Sequence, residues 1–205
     1  MGNAKTHAQR LLGLLVLLLL IAGIMLYARW RTWRENSQDA VILAAAARYG
    51  VDPALVKAVV WRESRFDPWA RGKAGEIGLM QVGGLAAREW ADAEHILFFT
   101  HSQLFDPAQN TQAGTWYLSK LLQRYAATDD PLPYALAAYN AGRANVLKWA
   151  QGAAATNSAL FSERIGFPST KNYVKTVMAR AEHYRPRFSL LKRAKPQTQT
   201  NHISQ

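Results

Sequence analysis

The sequence predicts an all-α fold, and three observations carry that expectation. At Asp52-Pro53, Asp106-Pro107 and Asp130-Pro131 an aspartate precedes a proline. The aspartate can cap a helix, and the missing proline N–H costs nothing at the first helical position. Behind those signals apolar residues recur at three- and four-residue spacing. No stretch sustains two-residue alternation, so strands should be scarce.

The first element is an apolar run from Leu11 to Tyr27, interrupted only by Gly13, Ala22 and Gly23. It is near the lower limit for a spanning helix. Leu26-Tyr27-Ala28 makes a poor signal-peptidase site, so the run reads as an uncleaved signal anchor. Lys5 and Arg10 on one side nearly balance Arg29, Arg31 and Arg34 on the other, so the basic residues do not fix its orientation. Asn36 or Ser37 can cap the next segment, with Val41, Ile42 and Ala45 on one face and Gly50 as its stop. The helix opened by Asp52-Pro53 runs to about Glu63. That at Asp106-Pro107 carries Tyr117, Leu118, Leu121, Leu122 and Tyr125 at helical spacing. That at Asp130-Pro131 ends near Ala141-Gly142. Ser169 or Thr170 can cap a last helix with Tyr173, Val174, Val177, Met178 and Ala181, which Pro186 should end. This gives three segments: 1–35 as tip, anchor and linker, 36–186 as a globular domain, and 187–205 as a polar, basic tail expected to be disordered.

With 205 residues the chain can bury one real core beside its flanks. It has no cysteine, which excludes disulfides, Cys-ligated zinc, a thiol nucleophile and a lipid-modified N-terminal cysteine. No glycine-rich phosphate loop is present, and no metal or cofactor is expected. The formal charge of +11 favours polyanionic partners. Its basic residues form no helical stripe or nucleic-acid motif, so nucleic acid is not expected among them.

Leu55, Val59 and Glu63 lie four apart on one helical face, with Val56 and Val60 beside them. A carboxylate therefore continues an apolar stripe. Desolvation there and the negative helix end both favour its protonated form, which suits general-acid chemistry. A rim glutamate paired with Lys57, Arg62 or Arg65 fits the helix equally well. Beyond it stand Glu63-Ser64-Arg65-Phe66-Asp67-Pro68, then Gly75-Glu76-Ile77-Gly78-Leu79-Met80-Gln81-Val82, then Ala137-Ala138-Tyr139-Asn140-Ala141-Gly142, and finally Lys171-Asn172-Tyr173-Val174.

That ordered set, over about residues 39–186, resembles the lytic transglycosylase family, the catalytic domain of soluble and membrane-bound murein transglycosylases, related to goose-type lysozyme. The segment from Asn110 through Ala113-Gly114 and Tyr117-Leu118 also resembles the family's intervening helix. The resemblance implies a lysozyme-like domain that cleaves the β-1,4 bond between N-acetylmuramic acid and N-acetylglucosamine and leaves 1,6-anhydromuramoyl ends. It implies Glu63 as catalytic acid and base. It implies Ser64, Gly78, Leu79, Met80, Gln81, Tyr139, Asn140 and Tyr173 as substrate-binding residues. From the residues alone, Met80 could equally fill the core, Tyr173 pack a helix and Asn140 end one.

The chain departs from the family where Gly72 replaces a common serine, Glu76 a small residue and Gly84 a common proline. These departures bear on loop geometry and subsite detail, and they leave open a specialised role such as local wall opening for a secretion or conjugation apparatus. The implied partners are peptidoglycan strands and the inner membrane, reached through Leu11–Tyr27, with the catalytic domain in the periplasm. Two other readings remain at this stage: a lysozyme-type hydrolase and a catalytically silent wall-binding domain. Goose-type lysozymes carry an aspartate where Gly83 stands, which disfavours the first.

Overall fold

A computed structural model describes residues 2–194. Among the described residues the secondary structure is helical apart from two isolated bridges, Arg71 to Ile77 and Ile77 to Val82. The chain divides into two compact units, Met1–Gln38 and Asp39–Gln205.

The first unit is helix α1, Gly2–Asn36. It extends beyond the apolar run on both sides because neither flank contains a proline or a helix-stopping turn. Its large apolar side chains from Leu11 to Tyr27 are exposed. The helix is long and apolar enough to cross a membrane by length and composition.

The second unit begins with α2, Asp39–Tyr49. Ser37 donates to the Arg34 carbonyl rather than capping this helix. α3 spans Pro53–Ser64, where Asp52 accepts from the Ala54 N–H at 2.9 Å. α4 covers Gly84–Ala93. α5 covers Pro107–Arg124, with Asp106 accepting from Gln109, and α6 covers Pro131–Ala141, with Asp130 accepting from Leu132. All three aspartate-proline signals therefore act as read. α7, Arg143–Trp149, and α8, Ser158–Arg164, are short, and α9 runs Pro168–Ala194. Turns of 3₁₀ helix fill 101–105 and 152–155.

α3 is the buried centre. Leu55 and Val59 face the core as their spacing requires, and Ala54, Val56, Ala58 and Val60 are buried too. α9 packs along α3, α2 on α5, and α6 bridges α5 and α9. A helix covered on nearly every side carries apolar residues all round rather than on one stripe.

α9 corrects two expectations. It starts at Pro168, and Thr170 does not cap it: its hydroxyl donates to Asn140 Oδ1 at 2.8 Å. Nor does Pro186 end it. An interior proline loses one helical hydrogen bond and clashes one turn back, at roughly 3 kcal/mol. Beyond it, however, Phe188 is buried, Leu191 packs on the core, and Arg187 bonds Asp39 at 2.5 Å. Residues 187–194 of the expected tail are thus helical, while 195–205 lie outside the described residues.

Candidate active site

Glu63 sits at the last turn of α3, where the chain reverses sharply. Arg65 and Phe66 follow at φ 53° and 64°, left-handed values that non-glycine residues rarely take. Two contacts hold this strained turn: Phe66 is buried, and the Arg65 guanidinium lies 3.5 Å from the Trp61 ring centroid. The reversal leaves Glu63 partly buried at the end of the helix.

The cations that could have paired with Glu63 are engaged otherwise. Lys57 is fully buried against Asp39, and Arg62 lies over the Tyr173 ring. Among the described residues Glu63 makes no ion pair. Its carboxylate instead accepts from the Tyr173 hydroxyl at 2.6 Å, across from α9. Burial pushes the Glu63 pKa up from the ordinary 4.5 to about 7. The Tyr173 bond and the charge of Arg62 pull it down, and the Glu76 carboxylate pushes it up again. Near neutral pH the group can therefore give a proton and take one back.

Tyr173 and Tyr139 are both held well above the usual tyrosine value, by burial first and the nearby Glu63 charge second. They remain hydrogen-bond donors. Tyr139 donates to the Met80 carbonyl at 2.9 Å, and its ring meets Tyr117 of α5 at 5.6 Å.

The opposite wall is the 70–82 loop. Gln81, at φ 47°, donates through its side-chain nitrogen to the Ala70 carbonyl at 3.1 Å and the Gly78 carbonyl at 2.9 Å. Carbonyls only accept, so this pair fixes which end of the amide is nitrogen. Asn110 on α5 clamps the loop from beneath. Its oxygen accepts from the Met80 N–H, and its nitrogen donates to the Ile77 and Leu104 carbonyls. Each bond spares a buried backbone group the roughly 1–3 kcal/mol cost of going unpaired. Gly78, at φ 78°, has no room for a side chain: a Cβ would lie 2.1 Å from Asn110 Nδ2. Gly114 leaves the same kind of space for Met80, 2.6 Å from its sulfur. Between loop, α5 and α6 lies an open pocket of about 380 Å³, lined among others by Glu76, Gln81, Leu85, Tyr117 and Tyr139.

Of the residues singled out in the sequence, Gln81 and Tyr139 line this pocket, while Glu63 and Tyr173 are bonded to each other and lie close enough to Tyr139 for the Glu63 charge to act on it. Leu79 and Met80 are fully buried, so their side chains fill the core beneath the loop and only their backbone can face a ligand. Ser64 is buried and its hydroxyl donates back to the Val60 carbonyl at 3.2 Å. Gly78 shapes the loop. Asn140 is exposed at the end of α6 and ties that end to α9 through Thr170. Two features escaped sequence reasoning. One is the clamp by Asn110, whose only trace is an amide on a helical face that also carries Ala113 and Gly114. The other is the coupling of Gly72 to Glu76: a Cβ on Gly72 would lie 2.2 Å from Glu76 Oε2, so the two departures noted above depend on each other.

The family described as "Transglycosylase SLT domain" matches residues 40–162. The chain is 38% identical over 109 residues to a membrane-bound lytic murein transglycosylase F from Desulfosudis oleivorans, covering 52% of this chain and 22% of that protein. It is 36% identical over 127 residues to a membrane-bound lytic murein transglycosylase C from Pectobacterium atrosepticum, covering 56% and 34%. Among solved structures, an inactive mutant of the lytic transglycosylase Slt from Pseudomonas aeruginosa superposes with a TM-score of 0.67 at 28% identity, covering 73% of this chain and 24% of that one. The 70 kDa soluble lytic transglycosylase from Escherichia coli gives 0.65 with the same identity and coverage. The chain thus spans between 22% and 34% of the length of these relatives.

Proposed function

The chain belongs to the transglycosylase SLT family, and on that premise we propose that it cleaves peptidoglycan glycan strands between N-acetylmuramic acid and N-acetylglucosamine, leaving 1,6-anhydromuramoyl ends. The observation that carries the proposal is the state of Glu63: a largely buried carboxyl with a pKa near 7, without an ion pair among the described residues and held at 2.6 Å by Tyr173.

A retaining glycosidase ordinarily uses one carboxylic acid and one carboxylate nucleophile; a site without the second takes its nucleophile from the substrate. In the proposed sequence Glu63 protonates the leaving oxygen while the muramic acetamide oxygen attacks C1. The 6-hydroxyl then displaces that oxygen at C1, and the ionised Glu63 removes the hydroxyl proton. One group is acid and then base, no water is consumed, and Glu63 ends protonated as it began. Tyr173 fixes the carboxyl's orientation and stabilises its ionised form between the two steps. Gln81 and the loop backbone at 78–80 face the sugar, and Tyr139 supports the loop through the Met80 carbonyl.

The test is a mass spectrum of the muropeptides released by the full-length protein. Anhydromuramoyl ends are expected. Reducing muramic ends would indicate a hydrolase, with Glu76 the carboxylate to suspect. Absence of turnover with retained binding would indicate a silent wall-binding domain.

The membrane assignment belongs to the same proposal: N-terminus in the cytoplasm, α1 as a single inner-membrane span, residues 36–186 as catalytic domain in the periplasm. Exposed apolar side chains along α1 support it, as does the location of the polymer outside that membrane. Full-length protein should stay with membranes through a high-salt wash, since a span is not held by charge. Digestion of the domain by protease added only from the cytoplasmic side would reject it. Service to a wall-spanning secretion or conjugation apparatus rests on the changes at Gly72, Glu76 and Gly84, and would appear as co-purification with such an assembly.

A further inference from the structure

The pocket lined by Glu76, Gln81, Tyr117 and Tyr139 has an uneven supply of hydrogen-bonding groups. Two of its side-chain donors are spent: the Gln81 nitrogen on two backbone carbonyls, and the Tyr139 hydroxyl on Met80. The third, the Tyr117 hydroxyl, comes from α5 rather than from the loop that carries Glu76 and Gln81. The pocket's acceptors are not spent. Glu76 accepts one bond, from the Ala74 N–H at 3.0 Å, and makes no ion pair among the described residues. The Gln81 oxygen has no partner among them. Both oxygens converge over Gly72: a Cβ there would meet Glu76 Oε2 at 2.2 Å and Gln81 Oε1 at 2.9 Å. On the other side, a Cβ on Gly83 would be 4.0 Å from Glu76 Cγ. Gly72 thus leaves space for the carboxylate, which a side chain at Gly83 would only touch, in a pocket large enough for a sugar ring and without a lysine or arginine in its lining. In a chain of net charge +11, this is a locally anionic, acceptor-rich wall.

An ammonium group carries three donors, no acceptor and a positive charge. An acetamide needs a donor for its oxygen, which the Glu76 carboxylate and the Gln81 oxygen do not offer. We propose that Glu76, with the Gln81 side-chain oxygen, is a specificity-determining pair that receives an ammonium group of the glycan substrate. The inference rests on the glycan-cleaving reading of the site. The ammonium has two sources in such polymers: a de-N-acetylated amino sugar, or the free amine of a diamino acid in a stem peptide. Gly72 matters because any larger residue there would displace the carboxylate from the wall.

The binding test uses full-length protein in detergent with glucosamine and N-acetylglucosamine trimers, measured by calorimetry. Glu76→Gln should lower the affinity ratio of the free-amine trimer to the acetylated trimer about tenfold, the scale of one hydrogen bond to a charged group. Gly72→Ser combined with Glu76→Ala refills the space without the charge and should lower the ratio equally, which separates loss of charge from loss of fold. The turnover test uses peptide-free strands with and without de-N-acetylation, and peptide-bearing strands with the stem amine free or acetylated. A kcat/KM ratio that depends on Glu76 only in the first pair assigns the ammonium to the sugar; only in the second pair, to the stem. Ratios unchanged in Glu76→Gln across all pairs overturn the proposal. Absence of turnover on every strand, with the trimer ratio still dependent on Glu76, overturns the glycan-cleaving reading and leaves the ammonium site standing.

Discussion

Lys57 and Glu63 lie on the same helix, six residues apart, and the fold treats them in opposite ways. Lys57 is fully buried, and its charge is answered on every side. It bonds Asp39 at 2.6 Å, Asp39 also bonds Arg187 of α9 at 2.5 Å, and the rings of Phe66, Tyr184 and Phe188 stand 5.0–5.8 Å from the ammonium. Glu63 is partly buried and receives one tyrosine hydroxyl and no ion pair among the described residues. The first arrangement ties α2, α3 and α9 together. The second gives up that stability, and its product is a proton that moves near pH 7. A buried charge fully compensated serves architecture; one left partly uncompensated is poised for chemistry.

The sharpest break of that comparison is Glu63→Gln. The amide can neither give nor take the proton, so turnover of glycan strands should fall by at least about a thousandfold while circular dichroism and glycan binding persist. Near-normal turnover would show that this carboxyl is not the acid. Lys57→Met should act the other way. It leaves Asp39 with one cation in a buried site, at a loss of about 3 kcal/mol in urea unfolding, and any loss of activity should follow the fraction unfolded. A variant of normal stability would mean that the charge cluster holds nothing together.

The next prediction concerns stability against pH. Glu63 titrates near 7 in the folded chain and near its ordinary 4.5 when unfolded, so the unfolded state loses its proton first. The contribution is favourable below about pH 4.5, falls as pH rises, and levels off above about pH 7 at a cost of up to about 3 kcal/mol. Glu63→Gln should therefore match wild type in acid and be more stable at alkaline pH, read from melting temperatures across the range. A constant difference would mean that Glu63 has an ordinary pKa. The smallest effect expected is that of Tyr173→Phe. The lost bond favoured the ionised form, so the Glu63 pKa should rise further. The alkaline fall of kcat/KM should move to higher pH, with about a tenfold loss at neutral pH. A shift to lower pH would contradict the hydrogen-bond assignment.

Much of this was legible along the chain because the governing interactions are short. A capping aspartate and its proline act within four residues, so the openings of α3, α5 and α6 could be read directly. The four-residue spacing of Leu55, Val59 and Glu63 placed a carboxylate on a core-facing stripe for the same reason. The end of α9 could not be read that way. Pro186 is a local stop signal, and what overrules it is the burial of Phe188 and the bond from Arg187 to Asp39, 148 residues away. The identity of Lys57's partner was equally hidden, since three nearby cations were plausible for Glu63 and the helix alone could not assign them. Met80 shows the division within one residue. Its place in the motif was evident, but that its side chain fills the space above Gly114 while its carbonyl receives Tyr139 depends on two other helices.

The sequence by itself therefore determined the helical class, the openings of α3, α5 and α6, the apolar run within α1 and the place of a carboxylate on a core-facing stripe, since backbone capping and helical periodicity are local. Tertiary structure alone decided which buried charges are answered, how Tyr173 reaches Glu63 across 110 residues, and that Gly72 makes room for Glu76. The pKa of a carboxyl and the acceptors left free in a pocket depend on the field and volume created by residues far apart in the chain, and those exist only once the chain has folded.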